Sequence, residues 1–145
     1  MNPNIELLEY IYENAEMGST SMDRLCELLE SKDNTIRTDI SETQKLYDRF
    51  MKKSEKILKE YKAKAKPKSM MSEMMSKMGI KKEVDSDNSD TAIAKMIIEG
   101  LNMGIVDMES KIKQYSDIAD ESVIKIAKEY LKFQKDEVEN YKEYL

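Results

Sequence analysis

Carboxylates and thioethers are the groups in this sequence with chemistry to offer, and the two kinds would serve different ions. Glu13, Glu99 and Glu137 are hard oxygen donors of the type that hold iron inside helical bundles. Met70, Met71, Met74, Met75 and Met78 carry soft sulfur that can take Cu(I), spaced so that a short helix would present one thioether-rich face. Flexible thioethers also pack on irregular apolar surfaces. With no His and one Cys in the chain, the favoured reading is an amphipathic lid or partner-docking segment rather than a metal site. Glu137 lands inside an apolar stripe, in phase with Tyr130 and Phe133. A buried acid must be paired, protonated or hydrogen-bonded. A tyrosine hydroxyl, a lysine, or exposure near the C-terminal end would satisfy it; a remnant ligand or a proton-handling group is the sharper alternative. No phosphate-cradling glycine loop, nucleophile elbow, Cys–His pairing or zinc-ligand spacing occurs, so no catalytic residue and no cofactor is assigned.

Positioning these groups falls to elements that the sequence writes twice, the first thing to look for in any chain. A shift of 86 residues pairs Glu13, Met17, Gly18 and Met22 with Glu99, Met103, Gly104 and Met108. A shift of 83 pairs Lys45, Tyr47, Phe50, Lys52, Lys59, Glu60 and Tyr61 with Lys128, Tyr130, Phe133, Lys135, Lys142, Glu143 and Tyr144. Lys and Glu match readily by chance in so charged a chain, whereas aligned aromatics and glycines are harder to dismiss. The change of shift means that the connection inside the second copy is three residues shorter, as loops permit.

Hydrophobic periodicity marks the same four segments. Leu8, Ile11, Ala15, Gly18, Met22, Leu25 and Leu29 recur by threes and fours, as do Ala94, Ile97, Leu101, Gly104, Met108 and Tyr115. Narrower, more aromatic stripes follow each: Ile36, Ile40, Thr43, Tyr47, Phe50, Ser54, Ile57 and Tyr61, then Val123, Ile126, Tyr130, Phe133, Glu137, Tyr141 and Tyr144. Helix starts are marked by Asn2 with Pro3, by Asp33 or Asn34, by Ser89 or Asp90, and by Asp120; Pro67 bars the second helix from running far past Lys66. Helices are therefore predicted over 3–31, 34–65, 90–117 and 120–145, in a single all-α domain spanning 1–145. Short internal connections make antiparallel hairpins of 3–65 and 90–145. The Met-rich crossover, 66–89, is long enough to travel the height of a bundle and permits up-down-down-up order.

Two mid-helix glycines stand out within that frame. Gly18 and Gly104 lie in phase with the core, where each costs about 1 kcal/mol relative to Ala. Close helix approach near a pseudo-twofold axis is the favoured explanation, and a small central cavity the functional alternative. Met17 and Met103, off the main stripes, mark an outer apolar spot on each hairpin that the crossover or another subunit would cover.

Two homologous hairpins joined by a long crossover resemble the ferritin-like superfamily. More narrowly, Asn14 to Gly18 and Asn102 to Asp107 resemble an uncharacterised family of small bacterial bundles, a likeness that covers nearly the whole chain and implies no known activity. A ferritin-like di-iron centre needs a Glu on each of two helices and Glu-x-x-His on the other two. The chain has no histidine, and Glu42 to Lys45 and Gln134 to Glu137 do not supply those ligands. Glu13 and Glu99 occupy equivalent repeat sites, as ligands would, but helical phase turns them away from the apolar stripes. An intact di-iron centre is not expected.

Charge narrows the partners. A net charge of −5 argues against general affinity for nucleic acid, which requires clustered cations. The run Lys59, Lys62, Lys64, Lys66 and Lys68, with only Tyr61 to stack, reads as a solvated helix end. A lone Cys26, an acidic N-terminus and the lack of an uninterrupted apolar stretch lead to an expected cytoplasmic protein with neither signal peptide nor membrane span. The function expected is that of a non-catalytic interaction or structural bundle, with a homo-oligomer or protein partner. A metal-handling protein, using the crossover methionines or a relic iron site, is the alternative.

Overall fold

The computed structural model describes residues 2–65 and 79–145, and it is all-helical, with no strand among the described residues. The crossover methionines 70–78, with Lys66 and Lys68, lie outside the described residues. Helix α1 runs Pro3–Leu28; Asn2 opens it with its side-chain oxygen accepting the Asn4 N–H at 2.9 Å, and Pro3 fills the first helical position, where no N–H is missed. Helix α2 runs Arg37–Glu60, and residues 79–86 form a short helical stretch, α3. Helix α4 spans Asp90–Tyr115 behind Ser89, whose hydroxyl accepts the Ala92 N–H at 3.2 Å. Helix α5 spans Glu121–Tyr141 and tightens into a 3-10 turn over Lys142–Tyr144.

Two helix ends depart from expectation for identifiable reasons. Asn34 does not cap α2; its side-chain amide donates to the Asn88 carbonyl and to Asp90, both at 2.8 Å, tying the first interhelical turn to the start of α4. The second helix stops at Glu60, well before Pro67 can act. Lys62 takes a left-handed conformation at φ 58°, its N–H reaching the Lys59 carbonyl while the Ala63 N–H reaches that of Leu58. That paired return of N–H groups is a Schellman closure, which satisfies carbonyls the helix end would otherwise orphan.

Polar contacts fix the helix directions. At one end Asn4 of α1 accepts the Asp120 N–H at 2.6 Å, Tyr115 at the end of α4 donates to Glu6 at 2.7 Å, and Tyr61 just past α2 donates to Asp120 at 2.5 Å. At the other end Asn34 meets Asp90, and Tyr144 donates to Asp39 at 2.5 Å. The four long helices thus run up, down, down, up. Contacts are densest within the pairs α1–α2 and α4–α5, while α1 also touches both α4 and α5, and α5 touches α2.

Between the pairs lies one apolar core. Leu7, Leu8, Ile11, Leu25, Leu29, Ile36, Ile40, Ile93, Leu101, Tyr130 and Tyr141 are fully buried or nearly so. In the second stripe Leu58 rather than Ile57 is fully buried. Aromatic rings lock α2 to α5: Tyr47 meets Phe133 edge-on with centroids 5.0 Å apart, Phe50 meets Tyr130 edge-on at 5.1 Å, and Phe50 stacks on Phe133 at 5.3 Å. Such pairs add to the area they bury about 0.5–1.5 kcal/mol each. Among the described residues, no helix is long and apolar enough to cross a membrane.

Candidate functional site

Three places in the molecule gather polar or exposed apolar groups. The first lies mid-height, where α1, α4 and α5 meet. Asn14 sits one turn after Tyr10 and one before Gly18 on α1, so its amide enters the interior. Its side-chain oxygen accepts the Tyr130 hydroxyl in a short hydrogen bond and the Gln134 amide N–H at 3.3 Å. Gln134 is 1% exposed, and its own amide oxygen has no hydrogen-bond partner among the described residues. The buried Tyr10 hydroxyl also lacks a partner in hydrogen-bond geometry; burial first, and then the nearby Asp107 carboxylate, push it up to about 12. Burial holds Tyr130 and Tyr47 well above the ordinary tyrosine value. Neutral hydroxyls are therefore the state of this cluster at physiological pH.

The mid-helix glycines belong here, and they make room for side chains. A Cβ on Gly18 would collide with the Tyr47 ring, and one on Gly104 with the Gln134 amide. Tyr47 arrives from α2 and Gln134 from α5, so each glycine admits a group from its own hairpin partner rather than a second backbone. Beside them opens a cavity of about 220 Å³, walled by Met22, Leu25, Ile97, Leu101 and Ile80, with Asn14, Ser21, Tyr47 and Gln134 supplying its polar atoms.

Glu137 forms the second place. It is 6% exposed, as its phase within the apolar stripe requires. Thr43 donates to it at 3.3 Å and Asn140 at 3.0 Å, while the Thr43 hydroxyl lies 2.5 Å from that of Tyr141. Burial raises the Glu137 pKa, and the Asp39 and Asp136 carboxylates add to the rise; the two hydrogen bonds oppose it. A cavity of about 190 Å³ adjoins it, with Asp39, Glu42 and Asn140 in its wall. Glu13 and Glu99 are exposed on α1 and α4 and do not converge with Glu137. No group of three or more Cys, Asp or Glu side chains is placed to hold a metal ion, among the described residues. Cys26 is half-buried, and burial followed by the Asp23 charge raises its thiol, which leaves it protonated and a poor nucleophile at neutral pH.

The third place is the outer face. Met103 is 72% exposed and Val106, one turn on, 67%; with Asn102 and Asp107 they border a shallow depression on α4. Met17 is 47% exposed and contributes to the rim of the 220 Å³ cavity. Of the basic run, Lys59 pairs with Glu55 at 3.7 Å, and Lys62 and Lys64 are exposed.

Asn14 and Gln134 were not singled out by sequence as site residues, although a signal was present. Gln134 follows Tyr130 by four residues and precedes Glu137 by three, and so interrupts an apolar stripe with an amide. Fold and site together define an all-α protein with a polar cluster and a cavity at its centre. No family model, curated protein or solved structure matches the chain.

Proposed function

We propose that this chain is a non-catalytic cytoplasmic interaction or structural protein, built as a ferritin-like four-helix bundle from a duplicated hairpin and akin to the small bacterial bundles it resembles. The up, down, down, up helix directions support that topology. Duplication is supported by the reciprocal contacts between α2 and α5. Tyr47 on Phe133 and Phe50 on Tyr130 are the pair of contacts that a twofold relation demands, because Tyr130 and Phe133 are the repeat partners of Tyr47 and Phe50. Tyr61 and Tyr144, also repeat partners, each donate to an aspartate at the start of the opposite hairpin's second helix.

The observation that carries the interaction reading is the exposed pair Met103 and Val106. Large apolar side chains one helical turn apart form a contiguous patch that the core does not require, and such patches mark contact surfaces. A second copy of the chain is the partner to test first. Sedimentation of the native chain is expected to show self-association, and Met17→Lys combined with Met103→Lys is expected to abolish it without loss of helicity. A native chain that stays monomeric at high micromolar concentration, or a double variant that associates unchanged, counts against this reading. The metal-handling alternative is tested by anaerobic calorimetry with Cu(I) and Fe(II), where saturable uptake would displace the interaction reading.

A further inference from the structure

We propose that Glu137 is a proton-operated switch where α2 meets the C-terminal end of α5: neutral, it completes the hydrogen bonding between the two helices; ionised, it leaves that contact one hydrogen bond short. Thr43 is the hub. Its hydroxyl oxygen lies 2.9 Å from the Asp39 carbonyl, 3.3 Å from a Glu137 carboxyl oxygen and 2.5 Å from the Tyr141 hydroxyl. A hydroxyl gives one proton and accepts two. The Asp39 carbonyl can only accept, so an ionised Glu137 can take the Thr43 proton only at the expense of that shorter bond. With a proton on Glu137 the count closes: Tyr141 and Glu137 donate to Thr43, and Thr43 donates to Asp39. The other Glu137 oxygen already accepts the Asn140 amide N–H at 3.0 Å, which places the proton on the oxygen that faces Thr43.

The surroundings favour that proton. Glu137 is 6% exposed and lines a cavity of about 190 Å³ whose wall, among the described residues, contains no cation and nothing from α1. From α2 it faces Asp39, Glu42 and the phenol of Tyr47, and from its own helix Asp136 and Tyr141. Lys45, at the surface, pairs with Glu42 at 3.5 Å. From the C-terminal turn Tyr144 donates to Asp39 at 2.5 Å, and Asp90 of α4 acts on Tyr144. Burial and neighbouring carboxylates both disfavour a charge on Glu137, and its pKa is raised accordingly. What the switch moves is the end of α5. Tyr141 on Thr43 and Tyr144 on Asp39 hold that end to α2, while Thr91 of α4 donates to the Tyr144 carbonyl at 2.8 Å. An acid whose folded pKa exceeds its unfolded one tightens the fold fully at acid pH, and that tightening is lost as pH rises through the folded value.

A carbon-13 NMR titration of the Glu137 carboxyl in the full chain is expected to give a midpoint above the roughly 4.3 of a free glutamate. Amide exchange protection over Val138 to Tyr144, corrected for intrinsic exchange, is expected to fall as pH rises through that midpoint. The fall is up to about tenfold for each pH unit that separates the midpoint from the free value. Glu137→Gln keeps the shape and an N–H for Thr43, and is expected to hold the acid-side protection at every pH. The proposal fails on any of three results: a midpoint at or below the free value, C-terminal protection unchanged through the midpoint, or a Glu137→Gln chain whose protection falls with pH as the native one does.

Discussion

At the scale of single residues, two helix glycines, Gly18 on α1 and Gly100 on α4, experience opposite surroundings. Gly18 has the Tyr47 ring where its Cβ would be, and Tyr47 is itself pinned by the edge of Phe133. A methyl group there must displace a ring that packs against Phe133 and Tyr130, and the loss of those contacts is expected to exceed the gain in helix propensity. Gly18→Ala is expected to destabilise the protein by about 1–3 kcal/mol. Gly100 meets nothing within 4 Å, and Gly100→Ala should stabilise it by up to about 1 kcal/mol through propensity alone. Urea unfolding of both variants measures the difference, and two shifts of the same sign would refute the assignment of Gly18 to the Tyr47 pocket. Glu137, buried within its apolar stripe, has hydrogen-bond donors of the kind a buried acid needs in Thr43 and Asn140.

At the scale of elements, helix ends rather than helix bodies carry the local strain. Lys62 holds a left-handed conformation that ordinarily falls to glycine, because the Schellman closure behind α2 demands it. Lys62→Gly is expected to stabilise the protein by about 0.5–1 kcal/mol, the relief of the αL penalty less the extra backbone entropy that glycine loses. Equal or lower stability in thermal unfolding would show that the lysine side chain compensates in some other way. This end also marks the limit of what sequence discloses. The bodies of α1, α2, α4 and α5 were legible because threefold and fourfold spacing of Leu, Ile and Tyr reports burial directly. The end at Glu60 was not, since Tyr61-Lys62-Ala63 contains neither Gly nor Pro to announce it. Nor was the loss of Asn34 as a cap, which depends on Asn88 and Asp90 arriving from 54 and 56 residues away. The outward phase of Glu13 and the burial of Glu137 followed from period alone. The cavity did not, because its walls come from all five helices, α1 to α5, whose mutual rotation no single stripe encodes.

At the scale of the molecule, tyrosines join the two helix pairs. Tyr115 to Glu6, Tyr61 to Asp120, Tyr130 to Asn14 and Tyr144 to Asp39 all cross from one pair to the other, at both ends and in the middle. An apolar seam could slide by a turn, whereas these directional bonds are satisfied in one register. Each of the eight tyrosines is shifted above the ordinary value, through burial at Tyr47, Tyr130 and Tyr141 and chiefly through carboxylate acceptors at Tyr61 and Tyr115. The consequence for pH dependence has a definite sign. A phenol whose folded pKa lies above its unfolded one favours the folded state fully below about pH 10. That advantage is lost as pH rises through the folded values, about 12 for Tyr10 and Tyr144. Between those limits each hydroxyl that is protonated when folded and ionised when unfolded removes about 1.4 kcal/mol per pH unit. Several acting together should make alkaline unfolding steep and cooperative, with tyrosinate absorbance rising at the same pH as helical circular dichroism falls. Tyr130→Phe is expected to make the transition shallower. Phenols that titrate one after another while helicity persists would show that the hydroxyls do not hold the pairs together.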